Sequence, residues 1–203
     1  MTGIVLAGGK SSRMGANKAF IEFGSKRLIE TTVDCLKALF PEVLIIANDP
    51  PLYAYLGVKV VSDLIPDSGS LGGIYTGLSV ASYPACFFVA CDMPFLNAEL
   101  IKFLVREAEG WDAVVPRVKG ELQPLHAVYA KSCLPLMKES IDASVLKIAR
   151  FFPKAKVKII EEPALRALDP YLFGFINVNT PLELEQAEAV RRQRCSPQRS
   201  VDS

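Results

Sequence analysis

The sequence predicts a three-layer α/β/α domain built on a mostly parallel, doubly wound sheet. Three observations carry that expectation. Short β-rich runs alternate with longer segments of helical spacing, the pattern of repeated strand–helix–strand units. The strand candidates include the apolar, buried-type runs Gly3–Ala7 and Cys86–Ala90. Polar residues succeed the strands at Gly8–Lys18, Asn48, Asp63 and Asp92, where such sheets bind ligands.

Gly3–Ala7 reads as the first strand, Gly8–Lys18 as a loop and Ala19–Phe23 as a short extended piece. Leu28, Val33, Leu36 and Leu39 fall at near-helical spacing, so a helix is expected over Arg27–Leu39, ending before Pro41. Val43–Ala47 and Val58–Val61 are strands, closed by Asn48-Asp49-Pro50-Pro51 and by Ser62-Asp63. Pro66–Gly73 reads as a loop leading into a helix through Ala81. After the apolar strand Cys86–Ala90, Asn97 is an expected N-cap for a helix to Ala108. Ala113–Pro116 and Pro124–Ala130 are strand candidates, Ser132–Glu139 and Ser144–Phe151 helical ones, and Lys156–Ile160 a further strand. Pro163–Phe173 receives no assignment. Pro181–Arg194 is a helix, with Thr180 as N-cap and Glu183 completing a capping box. One domain over 1–195 and a frayed polar tail over 196–203 are expected.

Composition narrows the function. Of 203 residues, 50% are hydrophobic and 22% charged, as in a folded globular chain. The net charge of +1 leaves no footprint for nucleic acid or an anionic membrane. No apolar run approaches the roughly 20 residues that cross a bilayer, and the N-terminus lacks signal-peptide character. Five cysteines without a C-x-x-C pair point to free thiols in a reducing, cytoplasmic setting. His126 is the lone histidine, without the context of a catalytic triad, and reads as structural.

Leu6 to Lys18 holds three glycines, two serines and the cations Lys10, Arg13 and Lys18, with no acid. Glycines let backbone N–H groups approach phosphate closely. Arg13 can grip a phosphate through two donors, whereas the lysines act as point charges. A Walker A loop needs a glycine where Ile4 stands, and G-x-G-x-x-G is absent.

The loop resembles the L-A-G-G-x-S-x-R-M-G-x-D-K signature of molybdenum cofactor guanylyltransferases of the MobA type, within the Rossmann-like nucleotidyltransferase superfamily. Asn17 departs from it, standing where the family has Asp. The resemblance continues downstream. Cys91-Asp92-Met93-Pro94 is similar to the superfamily's C-D-x-P, implying that Asp92 holds Mg²⁺; from the residues alone, Asp92 also reads as a turn former or cap. Asp63 and Asn48 match nucleotide-site residues and read equally as strand-ending turn residues. Ser70-Leu71-Gly72-Gly73 resembles P-L-x-G, and Gln123-Pro124-Leu125-His126 a segment with a substrate contact. Asn177-Val178-Asn179-Thr180-Pro181 resembles N-x-N-T-P, implying a pterin contact for Asn177 and Asn179.

The resemblance thus implies transfer of GMP from GTP to molybdopterin, with Leu6, Ala7, Gly8, Gly9, Lys18, Asn48, Asp63 and Asp92 on the nucleotide. Arg13, Lys18 and Asp92 would carry the chemistry. Molybdoenzymes or their chaperones would receive the product. The second glycine of the loop favours guanylyl over cytidylyl transfer, whose loop reads L-A-A-G. CTP or another phosphate acceptor, a P-loop kinase or ATPase using Gly9-Lys10-Ser11, and a non-catalytic GTP sensor are the alternatives.

Overall fold

The chain is described by a computed structural model covering residues 1–8 and 17–195. Its strands are β1 (Thr2–Leu6), β2 (Glu22–Phe23), β3 (Lys26–Arg27), β4 (Glu42–Ile46), β5 (Lys59–Val61), β6 (Ala85–Ala90), β7 (Ala113–Val118), β8 (Glu121–Leu122), β9 (His126–Ala130) and β10 (Val157–Ile160). Its helices are α1 (Leu28–Lys37), α2 (Gly69–Val80), α3 (Ala98–Arg106), α4 (Leu134–Asp142), α5 (Glu162–Arg166) and α6 (Pro181–Cys195). The eight-stranded sheet runs β10-β7-β9-β6-β1-β4-β5, with β8 paired to β7, while β2 and β3 form a separate hairpin. All main-path pairs are parallel except those of β9, which runs antiparallel to both β6 and β7. The mostly parallel expectation holds.

Alternation along each strand separates two cores. Val5, Ile45, Phe87 and Val89 meet Ile29, Val33 and Leu36 of α1 and Leu100, Ile101 and Leu104 of α3. Ile4, Leu6, Leu44 and Phe88 meet Leu71, Ile74 and Leu78 of α2 and Met137 and Ile141 of α4. Helices therefore cover both faces of the sheet. Full burial of each such side chain stabilises the fold by about 1.5–3 kcal/mol. Helix α2 approaches so closely that a Cβ on Gly77 would stand 2.7 Å from Phe88 and 2.8 Å from Ile4.

Several local expectations are corrected. Ala19–Phe23 is not one extended piece: Lys18–Phe20 is a 3-10 turn capped by Asn17, and only Glu22–Phe23 is strand. Pro50–Leu56 continues as a 3-10 helix after the proline break. Helix α2 starts at Gly69, inside the expected loop, and it carries Gly73 and Gly77 against the sheet despite their poor helix propensity. Ser144–Phe151 forms only one 3-10 turn, Ile148–Arg150; Ser144 turns left-handed at φ 56° and ends the helical path. The unassigned Pro163–Phe173 overlaps α5. Thr180 and Glu183 form the expected capping box, with Glu183 N–H to Thr180 Oγ1 at 3.2 Å and Thr180 N–H to Glu183 Oε2 at 2.9 Å. Gly9, Arg13 and the tail 196–203 lie outside the described residues. Among the described residues no helix is long and apolar enough to cross a membrane.

Candidate active site

The carboxyl ends of β1, β4, β5 and β6 form one edge, and the ladder extends past each strand to fix it. Ala7 N–H bonds Ile46 O at 2.9 Å, Ala47 N–H bonds Val61 O at 3.0 Å and Cys91 N–H bonds Leu6 O at 3.1 Å. The polar residues just beyond these bonds thus have little backbone freedom.

On the β4–β5 side, Asn48 and Asp63 hold each other. Asn48 Nδ2 donates to Asp63 Oδ2 at 2.9 Å, and Asp63 N–H donates to Asn48 Oδ1 at 3.0 Å. Among the described residues, Asp63 Oδ1 is buried without a partner. Nearby, Asn17 Nδ2 donates to the Tyr53 hydroxyl at 3.0 Å, and that hydroxyl donates to Ala7 O at 3.2 Å. Asn17 Oδ1 also accepts from Ala19 N–H at 3.1 Å. The amide at position 17 therefore supplies a donor that a carboxylate lacks. A cavity of about 590 Å³ opens here, lined by Ala7, Gly8, Asn48, Tyr53, Asp63 and Gly69 among others. That is the size of a small-molecule site.

On the β6 side the charges converge. Lys18 Nζ donates to Asn179 Oδ1 at 2.6 Å and lies 3.7 Å from Asp92 Oδ2. Burial pushes the Asp92 carboxyl above the usual carboxylate range, and Lys18 pulls it back. Among the described residues, Asp92 Oδ1 is buried with no hydrogen-bond partner. The strap before α6 closes the site, since Val178 N–H bonds Asp92 O at 2.8 Å and Asn179 N–H bonds Glu183 Oε2 at 2.7 Å. A second cavity of about 210 Å³ lies here, lined by Gly8, Lys18, Ser70, Asp92 and Leu125 among others, and it shares Ala7, Gly8 and Asn17 with the first.

The open Asp92 oxygen fits a hard divalent cation. Among the described residues no three His, Cys, Asp or Glu side chains cluster as a cage. Mg²⁺ suits such a setting, because it keeps waters and binds through one or two carboxylates plus substrate phosphates. Cys91 beside it is held protonated, its thiol pushed up to about 12 by burial and by Asp92. His126 is fully buried on β9 against Phe87 and Phe175, and burial lowers its imidazole to about 3.

The sequence-predicted residues gather in two groups. Leu6, Ala7, Gly8, Asn48 and Asp63 surround the two cavities, and Lys18, Asp92 and Asn179 form the charge cluster. The structure brings Asn179, and not Asn177, to Lys18. Tyr53 escapes sequence reasoning: nothing in Pro50-Pro51-Leu52-Tyr53 signals that its hydroxyl reaches back to Ala7.

A family model described as the MobA-like NTP transferase domain matches residues 3–156. A probable molybdenum cofactor guanylyltransferase of Pelotomaculum thermopropionicum is 42% identical over 189 residues, covering 93% of this chain and 92% of that protein. The molybdenum cofactor guanylyltransferase of Desulfosudis oleivorans is 39% identical, covering 93% and 95%. Among solved structures, molybdopterin-guanine dinucleotide biosynthesis protein A from Archaeoglobus fulgidus aligns with a TM-score of 0.84 at 29% identity, over 95% of this chain and all of that one. The 4-diphosphocytidyl-2C-methyl-D-erythritol synthase of Anaerococcus prevotii, at TM-score 0.72 and 15% identity, over 94% of this chain and 95% of that one, shares the fold alone.

Proposed function

The chain belongs to the MobA-like NTP transferase family and is a nucleotidyltransferase; from that premise we propose that it transfers GMP from GTP to molybdopterin, releasing pyrophosphate. One observation carries the reading: a buried carboxylate with an open oxygen beside a lysine, at the point where two cavities meet. An oxygen of the acceptor's phosphate attacks the α-phosphorus of GTP, the bond to the β-phosphate oxygen breaks, and pyrophosphate leaves with the electron pair. The nucleophile is already anionic, so the protein's tasks are alignment and charge stabilisation.

Ala7, Asn48 and Asp63 receive the nucleoside in the cavity of about 590 Å³, and Leu6 meets the nucleotide from the smaller cavity beside it. The Gly8–Gly9 backbone, Arg13 and Lys18 offset charge on the phosphates. Asn179 holds Lys18 in place, and Asn177 stays with it on the acceptor side. Asp92 would hold Mg²⁺, which supplies Lewis-acid stabilisation of the phosphate oxygens when bound. Residues 1–195 act as one catalytic unit. The free thiols of Cys35, Cys86, Cys91 and Cys133 suit a reducing cytoplasm.

The test is product analysis with Mg²⁺ and molybdopterin, using GTP or CTP. Acceptor-dependent pyrophosphate and a guanine dinucleotide product are expected from GTP. Release of γ-phosphate, or equal turnover of CTP, contradicts the proposal.

A further inference from the structure

Ala7 and Asn17 stand at the two ends of the glycine-rich stretch, and one hydroxyl joins them. Tyr53 Oη donates to Ala7 O at 3.2 Å and accepts from Asn17 Nδ2 at 3.0 Å. Tyr53 is 1% exposed. Its 3-10 segment, Pro50–Leu56, enters on two prolines directly after Asn48 and Asp49. The ring also packs on Phe20, with centroids 5.1 Å apart. Burial raises the phenol above its ordinary range while the Asn17 donor lowers it, so the proton given to Ala7 stays in place. Both ends of this bridge are themselves fixed. Ala7 N–H bonds Ile46 O at 2.9 Å. Asn17 caps the 3-10 turn that Lys18 opens: its Oδ1 accepts from Ala19 N–H at 3.1 Å, and its carbonyl accepts from Phe20 N–H at 3.0 Å. From that turn Lys18 reaches Asn179 and Asp92.

Proton inventory decides which residue can stand at position 17. The Tyr53 hydroxyl has one proton, and Ala7 O, which only accepts, takes it. Position 17 must then donate. Asparagine does so through Nδ2 while its Oδ1 serves the cap. Aspartate has the same shape and caps a turn equally well, but it presents the hydroxyl with a second acceptor. The hydroxyl then turns to the carboxylate, and the carbonyl of Ala7, a residue of the nucleoside cavity wall, loses its donor. Exchanging the amide for a carboxylate thus changes one atom and breaks the bridge. Position 17 is also where the loop departs from the family signature, so this chain carries the residue that the bridge requires.

We propose that Tyr53 and Asn17 are positioning residues, a clasp that joins the two ends of the phosphate-binding stretch and holds the Lys18 turn in place for the triphosphate. They act through Ala7 and Lys18. This rests on the nucleotide reading proposed above. A clasp formed before the ligand arrives spares binding the cost of ordering those ends, and it links the segment that follows Asn48, on the nucleoside side, to the lysine on the phosphate side.

The experiment is a double-mutant cycle, with GTP titrations and steady-state rates on the wild type, Asn17→Asp, Tyr53→Phe and the double variant. Asn17→Asp should bind GTP about tenfold more weakly and Tyr53→Phe about threefold. Because both cut one bridge, the double variant should stay at about tenfold, against about thirtyfold for independent effects. KM for GTP should follow the same pattern with kcat within about twofold of the wild type, whereas loss of folded protein would lower kcat instead. Independent effects overturn the clasp and assign the Asn17→Asp defect to repulsion between its charge and the phosphates. Wild-type GTP affinity in both single variants overturns it as well, and in either case the reaction stands. A wild type that binds no GTP overturns the nucleotide reading and the clasp together.

Discussion

Asp92 lies just past the end of β6 and His126 on the neighbouring β9, and each carries a buried polar atom without a partner among the described residues. Their surroundings differ. The Asp92 carboxylate opens onto a cavity it shares with Lys18, whereas the His126 ring is sealed between Phe87 and Phe175. Burial disfavours charge at both, raising the one acid and lowering the other base. Only at Asp92 can a ligand supply what the protein withholds. An unsatisfied buried group therefore marks a binding site only where there is room for the missing partner. In packed aromatic surroundings it is simply a cost carried by the fold.

The largest effect that would test this contrast is at Asp92. Asp92→Ala should lower transfer on the order of 10³-fold, with a melting temperature no lower than that of the wild type, since a desolvated carboxylate is removed. Full pyrophosphate release by this variant would break the comparison. Lys18→Ala should weaken GTP binding about thirtyfold, through lost charge-assisted contacts worth about 2 kcal/mol, as read by titration; an unchanged affinity removes Lys18 from the phosphate site.

At His126 the expected change is in stability. The native imidazole titrates near 3 against an ordinary 6.5, so between these values the unfolded chain binds more protons. Stability is then complete above pH 6.5 and falls as the pH is lowered towards 3, by about 1.4 kcal/mol per unit and so about 2 kcal/mol by pH 5. His126→Leu should abolish this contribution while leaving transfer at neutral pH intact. Denaturant melts at pH 7 and pH 5 measure it, and equal acid sensitivity in both proteins would refute the assignment. The smallest effect belongs to Tyr53, whose hydroxyl has both partners. Tyr53→Phe should cost about 1 kcal/mol, divided between stability and GTP affinity.

Much of the site was legible because its residues sit just past strand ends, and a parallel sheet brings those ends together along one edge. Asp63 and Asn48 are fifteen residues apart, yet β4 and β5 are neighbours in register, so their ends must meet. The capping residues Asn97 and Thr180 were legible because their partners lie within one helical turn. The features that escaped depended on distance or on competing propensities. No local pattern announces that Tyr53 bonds Ala7, or that Lys18 has its partner at Asn179. Val145, Leu146 and Ile148 carry helical spacing, but Leu146 is left 38% exposed instead of entering a core. In α2, Gly73 and Gly77 lower helix propensity yet let the helix lie against the sheet, over Leu6 and Phe88.

The strap that bonds Asp92 and Lys18 also orders events during synthesis. Every strand among the described residues has been made once Ile160 is added, but Lys18 has its partner 161 residues further along the chain from itself. At about 5–20 residues per second, the ribosome reaches Asn179 roughly one to four seconds later. A nascent chain in that interval has β1 to β10 and lacks the contact that orients its lysine. The active site is thus among the last parts of the molecule to be completed, and a copy cut short after β10 carries the sheet, Lys18 and Asp92 but lacks the asparagine that holds the lysine.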